Sequence, residues 1–282
     1  MTAEPESATT DPTTAELIAA LLSTPDDEDA WRPALVELHR RPTRETFDAA
    51  TRLLASDTTL ERALGVEILG QLGGSGTDPD RAFREETVLL LLDLLAQEHE
   101  PRVLEAIGYA FAHLQDPRGV PPLCGLSDHS KVGVRLAVVH GLHRHRDDRA
   151  VRALIRLSSD EDAHVRDWAT FGLGTQIPLD TPAIRDALVA RLDDNHHNTR
   201  EEAMYGLAMR LDVRAIPVLL TFLEDYEGPM LDSALLVLAD HLDDPRLPEA
   251  IADRWPDGVP AETRGQADDD YWLATYERHA AG

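Results

Sequence analysis

Apolar positions along this chain follow a helical rhythm, and between Val103 and Asp212 that rhythm comes round four times at a period of about 31 to 34 residues. The stretch Val134-Arg135-Leu136-Ala137-Val138-Val139-His140-Gly141-Leu142 aligns without gaps on residues 165–173 and again on 199–207. A fourth copy starts at Val103-Leu104, and a more diverged one at Glu61-Arg62. Counting from the leading Val as slot 0, apolar or small residues fall at slots 0, 4, 5, 7 and 8, and at slot 11 in the copy that ends on Leu114, which gather on one face at about 100° per residue. This is the first helix, A, of each unit. A second half recurs as Asp116-Pro117-Arg118-Gly119-Val120, Asp147-Asp148-Arg149-Ala150-Val151, Asp212-Val213-Arg214-Ala215-Ile216 and Asp244-Pro245-Arg246-Leu247. Its Asp suits an N-cap, because the carboxylate accepts from the free N–H groups of the first turn, so helix B starts there with a stripe such as Val151, Leu154, Ile155 and Leu157. A helix–turn–helix unit of this size cannot bury its apolar face alone and stacks on its neighbours. The pattern therefore predicts an all-α fold, an α-solenoid of about seven such repeats.

Outside the clear copies, Thr14 to Leu22 reads as a short amphipathic helix, and Trp31 to Leu38 with Thr43 to Leu54 as a diverged first pair. The second unit carries an insertion, Gly73-Gly74-Ser75-Gly76-Thr77-Asp78-Pro79-Asp80, which predicts a protruding loop. Beyond Asp253 the repeat fades into a polar, acidic stretch with a last helix from about Asp270 to Arg278, whose Trp272 and Tyr276 are placed to cap the stack. The expected organisation is a disordered leader over 1–13, a repeat solenoid over 14–253 and an acidic C-terminal segment over 254–282.

The Val-Arg opening, the small residues, the Gly-Leu step at 141–142, 172–173 and 206–207, and the Asp-Pro-Arg turn resemble the HEAT-like repeats named after the phycobilisome lyases, over roughly residues 24 to 253. That resemblance implies the solenoid. It leaves activity open, because such repeats serve scaffolds, adaptors, DNA repair glycosylases, bilin lyases and an iron hydroxylase.

Composition narrows these classes. The 282-residue chain carries 27 basic against 52 acidic residues, a formal net charge of -25, and Lys131 is its single lysine. Such a surface repels phosphate backbones, since nucleic-acid binding needs a basic stripe that displaces counterions; nucleic acid is excluded as a partner. Aromatics make up 5% against 43% hydrophobic residues, which points to Leu, Ala and Val between helices. One cysteine, Cys124, in an apolar stretch, excludes an internal disulfide and suits a reducing compartment. The first residues lack the basic and apolar regions of a secretory signal, and the longest aliphatic run, Val88 to Leu92, is far too short to cross a bilayer. A cytoplasmic setting with no membrane contact is the expectation.

Catalytic chemistry finds little support. The glycines at 73, 74 and 76 are followed by no Gly-Lys-Ser/Thr and preceded by no strand, so they make no phosphate loop. Cys124 has no base in its sequence neighbourhood and reads as a core residue. The resemblance raises deoxyhypusine hydroxylase, which carries His-Glu pairs at slots 2 and 3; here those slots hold Glu105-Ala106, Leu136-Ala137, Asp167-Trp168 and Glu201-Glu202, which removes that enzyme. His196-His197 beside Asp193-Asp194, and His143 with His145, lack helix-spaced third and fourth ligands. They read as solvated turn histidines, so neither a metal nor another cofactor is expected.

Slots 3, 6 and 10 carry one stripe of larger side chains: Tyr109, His113, His140, Arg144, Trp168, Phe171, Tyr205 and Met209. Slot 6 lies about 140° from the centre of helix A's apolar face, so Tyr109, His140, Phe171 and Tyr205 either fill the room left by Gly141, Gly172 and Gly206 between neighbouring A helices or form an exposed binding surface. Interleaved acids Glu105, Asp167, Glu201 and Glu202 would draw an Arg- or Lys-bearing segment. The reading adopted is a non-enzymatic scaffold or adaptor that binds a basic protein segment through Glu105, Tyr109, His140, Asp167, Trp168, Phe171, Glu201, Glu202, Tyr205 and Met209, with a bilin or cofactor lyase, or a chromophore-protein chaperone, as the alternative. Arg62, Arg135, Arg166 and Arg200 share slot 1 beside the acidic turns, and a ladder of structural ion pairs accounts for them. The one basic island, His143 to Arg146 with Arg149 and Arg152, is diluted by Asp147 and Asp148.

Overall fold

The computed structural model describes residues 11–24, 28–74, 78 and 80–279, without the side chains of Glu28, Ala30 and 272–279. Every regular element among the described residues is helical. The helices divide into two compact units, residues 1–116 and 117–282.

In the first unit, α1 (Thr14–Ser23), α2 (Glu28–His39), α3 (Arg44–Leu54), α4 (Thr59–Gln71), α5 (Arg84–Leu95) and α6 (Pro101–Leu114) follow in order. Local chemistry sets the starts: Thr13 caps α1 in a capping box with Glu16, and the Thr43 hydroxyl accepts from the Thr46 amide at the head of α3. Leu17, Leu21, Leu38, Phe47, Ile68 and Leu69 share one apolar core. Helix α4 packs against both α3 and α6, closely enough that a Cβ on Gly70 would stand 2.8 Å from the Cβ of Ala110. The Arg81 guanidinium closes α4 by donating to the carbonyls of Leu69, Gly70 and Leu72. Of the loop expected over 73–80, Ser75, Gly76, Thr77 and Pro79 lie outside the described residues, as do residues 1–10 of the expected leader.

The second unit alternates short B helices, α7 (Val120–Gly125), α9 (Asp148–Leu157), α11 (Pro182–Val189), α13 (Ile216–Asp225) and α15 (Arg246–Arg254), with A helices α8 (Val132–Leu142), α10 (Ala163–Phe171), α12 (His197–Ala208) and α14 (Pro229–His241). Helix α8 packs on α10, α10 on α12, and α12 on α14, while α9 lies between α7 and α11. This A-on-A and B-on-B order is the α-solenoid arrangement that the repeat pattern predicts. Two of the four expected Asp caps form as N-caps, Asp147 accepting from the Arg149 amide and Asp212 from the Arg214 amide; the N-cap of α15 is Pro245, with Asp244 accepting from the Arg246 amide, and that of α7 is Gly119. The final helix, α16 (Ala261–His279), begins nine residues before the expected Asp270 and packs on α14. The side chains of Trp272 and Tyr276 fall outside the described set.

Slot 1 builds the ladder. Arg62 reaches Glu98 through Nε at 2.8 Å, Arg135 reaches Asp160 through Nε and Nη2 at 2.7 Å each, and Arg166 reaches Asp194 at 2.9 and 3.0 Å. Each Nη1 also donates to a carbonyl six residues earlier, of Ser56, His129 and Asp160 respectively. The acids in turn accept from turn amides, Asp160 from Asp162 and Asp194 from His196, so one carboxylate shapes the turn and fastens the preceding A helix. Slot 7 explains the glycines in the same way. A Cβ on Gly206 would meet the Gly174 backbone at 2.6 Å, and one on Gly172 would meet the His143 ring at 2.8 Å.

One irregularity escapes the pattern. Helix α10 runs into a π turn over Gly172–Gln176. Arg210 threads its guanidinium there, giving Nη1 to the carbonyls of Gly174 and Gly206 and Nη2 to those of Leu173, Ile177 and Leu179. A widened turn leaves its carbonyls short of amide donors, and one buried fork supplies them.

Candidate partner-binding face

Slots 3 and 6 of α8 and α10 bring their rings together. His140 lies 4.6 Å from the Trp168 ring, and Trp168 stands edge-on to Phe171 at 5.5 Å. His143, from the turn after α8, meets Phe171 at 5.7 Å and places its Nε2 3.1 Å from the Trp168 carbonyl. Nε2 must carry the proton to donate to that oxygen, which leaves Nδ1 bare. Burial and the neighbouring His140 push the His143 pKa down to about 4, so the ring is neutral at physiological pH. This corrects the reading of His143 as a solvated turn histidine: the absent side chain of Gly172 makes its room. His197 is likewise packed, against Phe222 at 5.0 Å and Tyr226 at 4.5 Å.

The stripe is therefore a packed joint with an exposed edge. Trp168 is 40% exposed, whereas His140 and Phe171 are half-buried and Met209, at 3%, offers no side-chain surface. Tyr205 is half-buried and hydrogen-bonds Asp270 of α16; burial first and that carboxylate second raise its pKa. The ring pattern could not reveal this cover, because α16 lies outside the repeat. In the first unit, Tyr109 and Glu105 are half-buried on α6, and burial raises the pKa of both.

Asp167, next to Trp168 on α10, faces Glu202 of α12. Asp167 lies 3.5 Å from the Thr199 hydroxyl and 3.8 Å from His196 Nδ1, and burial raises its pKa against the pull of His196 and His164. Burial and the charges of Asp167 and Glu201 push Glu202 up to about 7. Its Oε2 is buried and meets no hydrogen-bond donor. Glu202 thus lies in the field of both Asp167 and Glu201, an arrangement that disfavours its ionisation and favours a cation placed near it. No group of three or more His, Cys, Asp or Glu among the described residues is arranged to hold a metal. Cys124 is half-buried and its thiol pKa is raised by burial, the opposite of an activated nucleophile. A cleft of about 650 Å³ between α14, α15 and α16 is lined by Asp232, Arg254, Trp255, Glu262 and Gln266, and no residue of the stripe lines it.

HEAT repeats match residues 88–174 and 151–239. In sequence, the chain is 35% identical to the protein YibA of Escherichia coli over 86 residues, which is 30% of each chain. The X-ray structure of YibA superposes with a TM-score of 0.70 at 21% identity over 92% of both chains. An engineered protein follows at a TM-score of 0.54 and 18% identity, over 94% of this chain and 82% of that one. The CpcE–CpcF complex of phycocyanin lyase from Nostoc sp. PCC7120 superposes at 0.47 and 18% identity, over 90% and 98%. No helix among the described residues is long and apolar enough to cross a membrane. With repeats matched over more than half of its length and stacked A on A and B on B, this chain belongs to the HEAT-repeat family.

Proposed function

We propose that this protein is a non-enzymatic scaffold or adaptor that docks a basic segment of a protein partner on the A-helix face around Trp168. The observation that carries the reading is the exposed Trp168 indole, held on a rigid bed of His140, His143 and Phe171 and flanked by Asp167. A large ring fixed in place loses little freedom on binding, which is why such rings dominate interfaces. Glu202 supports the cationic character of the partner, since its carboxylate, disfavoured by burial and by Asp167 and Glu201, is stabilised by a positive charge brought near it. The net charge of -25 adds long-range attraction for basic segments. Of the sequence-derived set, Trp168, Asp167, Glu201 and Glu202 are the residues proposed to touch the partner, with His140 and Phe171 holding the indole.

Capture of partners from native extract by the tagged protein, followed by mass spectrometry, tests the reading. Trp168→Ala and Asp167→Asn are expected to lose a basic partner that the wild-type protein enriches; Asp167→Asn keeps helicity and Tm, whereas Trp168→Ala keeps helicity but melts lower, because it empties the joint with His140, His143 and Phe171. Equal capture by both variants would remove this face from the function.

A further inference from the structure

The arginine ladder has an open rung. Arg62, Arg135 and Arg166 each fix Nη1 on a carbonyl and close Nε and Nη2 on a carboxylate of the following turn. Arg200, the next residue in this slot, keeps the anchor: its Nη1 donates to the Asp194 carbonyl at 2.8 Å, again six residues back. Among the described residues no carboxylate meets its Nε or Nη2. The turn that should supply one, after α13, carries Tyr226, and the exposed Asp225 and Glu227 make no ion pair with Arg200. In the carboxylate's stead, Arg200 has the Phe222 ring 5.8 Å from its Cζ, with Phe222, Tyr226 and His197 packed together at 4.5 to 5.9 Å. Tyr226 is 48% exposed.

We infer that Arg200 is a receptor for a carboxylate from outside the chain, carried beside an apolar group that rests on Tyr226, as at the C-terminus of a polypeptide. Two kinds of geometry lead there. The closed rungs display the group that a fork anchored in this way accepts, a carboxylate engaged side-on through Nε and Nη2, the bidentate match for which Arg is suited. The aromatic wall selects what the carboxylate is attached to. The chain's net charge opposes an approaching anion, but at an ionic strength of about 0.15 M that field is screened beyond roughly 8 Å, while the contact pair is not. The inference is independent of the Trp168 reading.

Arginine Nε–H resonances of the full-length protein, followed by NMR at constant ionic strength, give the test. The probes are N-acetylphenylalanine, its amide and sodium acetate. N-acetylphenylalanine is expected to shift the Arg200 Nε–H and the Tyr226 ring protons saturably, acetate more weakly, and the amide not at all. Arg135 and Arg166, already closed on Asp160 and Asp194, stay still and serve as internal controls. In Arg200→Lys, which keeps the charge but not the fork, the Tyr226 shift is expected to vanish. The inference fails if Arg200 moves no more than the exposed Arg152. It fails equally if acetate and N-acetylphenylalanine bind alike, or if Arg200 responds to Asp225→Asn with Glu227→Gln instead of to the probes, since the chain would then close its own rung.

Discussion

At the scale of single residues, the ladder arginines carry much of what the repeat says. Arg166 and Asp194 have side chains only 11% and 4% exposed, and Asp194 is held ionised by the guanidinium against its burial. Arg191, 3.1 Å from Asp194, stays as a second cation when Arg166 is removed, so the cost is that of lost charge-assisted hydrogen bonds and not of a stranded charge. Arg166→Ala is therefore expected to destabilise the second unit by about 2 kcal/mol, read as a lower denaturant midpoint; a loss within error would reduce the ladder to surface decoration. The ladder was legible in the sequence because Arg recurs in one slot next to acidic turns. The role of His143 was not. It follows Leu142 in a turn, and nothing along the chain marks that Gly172, a repeat later, opens a pocket for its ring. Trp168 was legible as a large ring at an unusual slot, but its neighbours at 4.6 and 5.5 Å depend on how α8 and α10 cross.

Among the elements, the A and B helices follow from a 3.6-residue rhythm broken by Asp caps, and their order in the second unit matches the reading from Val134 to Asp212. The π turn over Gly172–Gln176 does not follow, because helix patterning is blind to one extra residue per turn and Arg210 lies more than thirty residues downstream. Its guanidinium is the shared donor for carbonyls of Leu173, Gly174, Ile177, Leu179 and Gly206. Arg210→Ala leaves those buried acceptors unmet, at about 1–3 kcal/mol for each one that finds no water. Hydrogen–deuterium exchange is expected to show lost protection over residues 172–179 before the rest of the unit. Uniform loss would show that Arg210 supports the unit as a whole and not this turn. The start of α16 is hidden for a related reason: the helix lies beyond the repeat, where no second copy aligns with it, and the same lack of a copy hides its cover over Tyr205.

For the whole molecule, charge and pH link stability to the proposed docking face. Burial and neighbouring acids raise Glu202 to about 7 in the folded state, above its ordinary value of 4.5. The folded protein therefore binds this proton more tightly than the unfolded chain, and the contribution to stability is full at low pH and lost as pH rises through about 7. Glu202→Gln is expected to melt higher than wild type at pH 8, with the gap closing as pH falls toward 5; a constant gap would mean that Glu202 is not the group titrating. A bound cation would lower this pKa again, so binding of the proposed partner should strengthen from pH 6 to 8. That coupling is invisible in composition, since the net charge of -25 fixes only the sign of the field.

Hydroxyl-radical footprinting of the full-length protein with and without an Arg-rich helical peptide, near 0.15 M salt, tests the docking claim most directly. Oxidation of Trp168 is expected to fall saturably in the wild-type protein, and the effect to be lost in Asp167→Asn with Glu201→Gln. Unchanged oxidation of Trp168 at peptide concentrations that saturate binding, or protection spread evenly over the acidic surface, would contradict it.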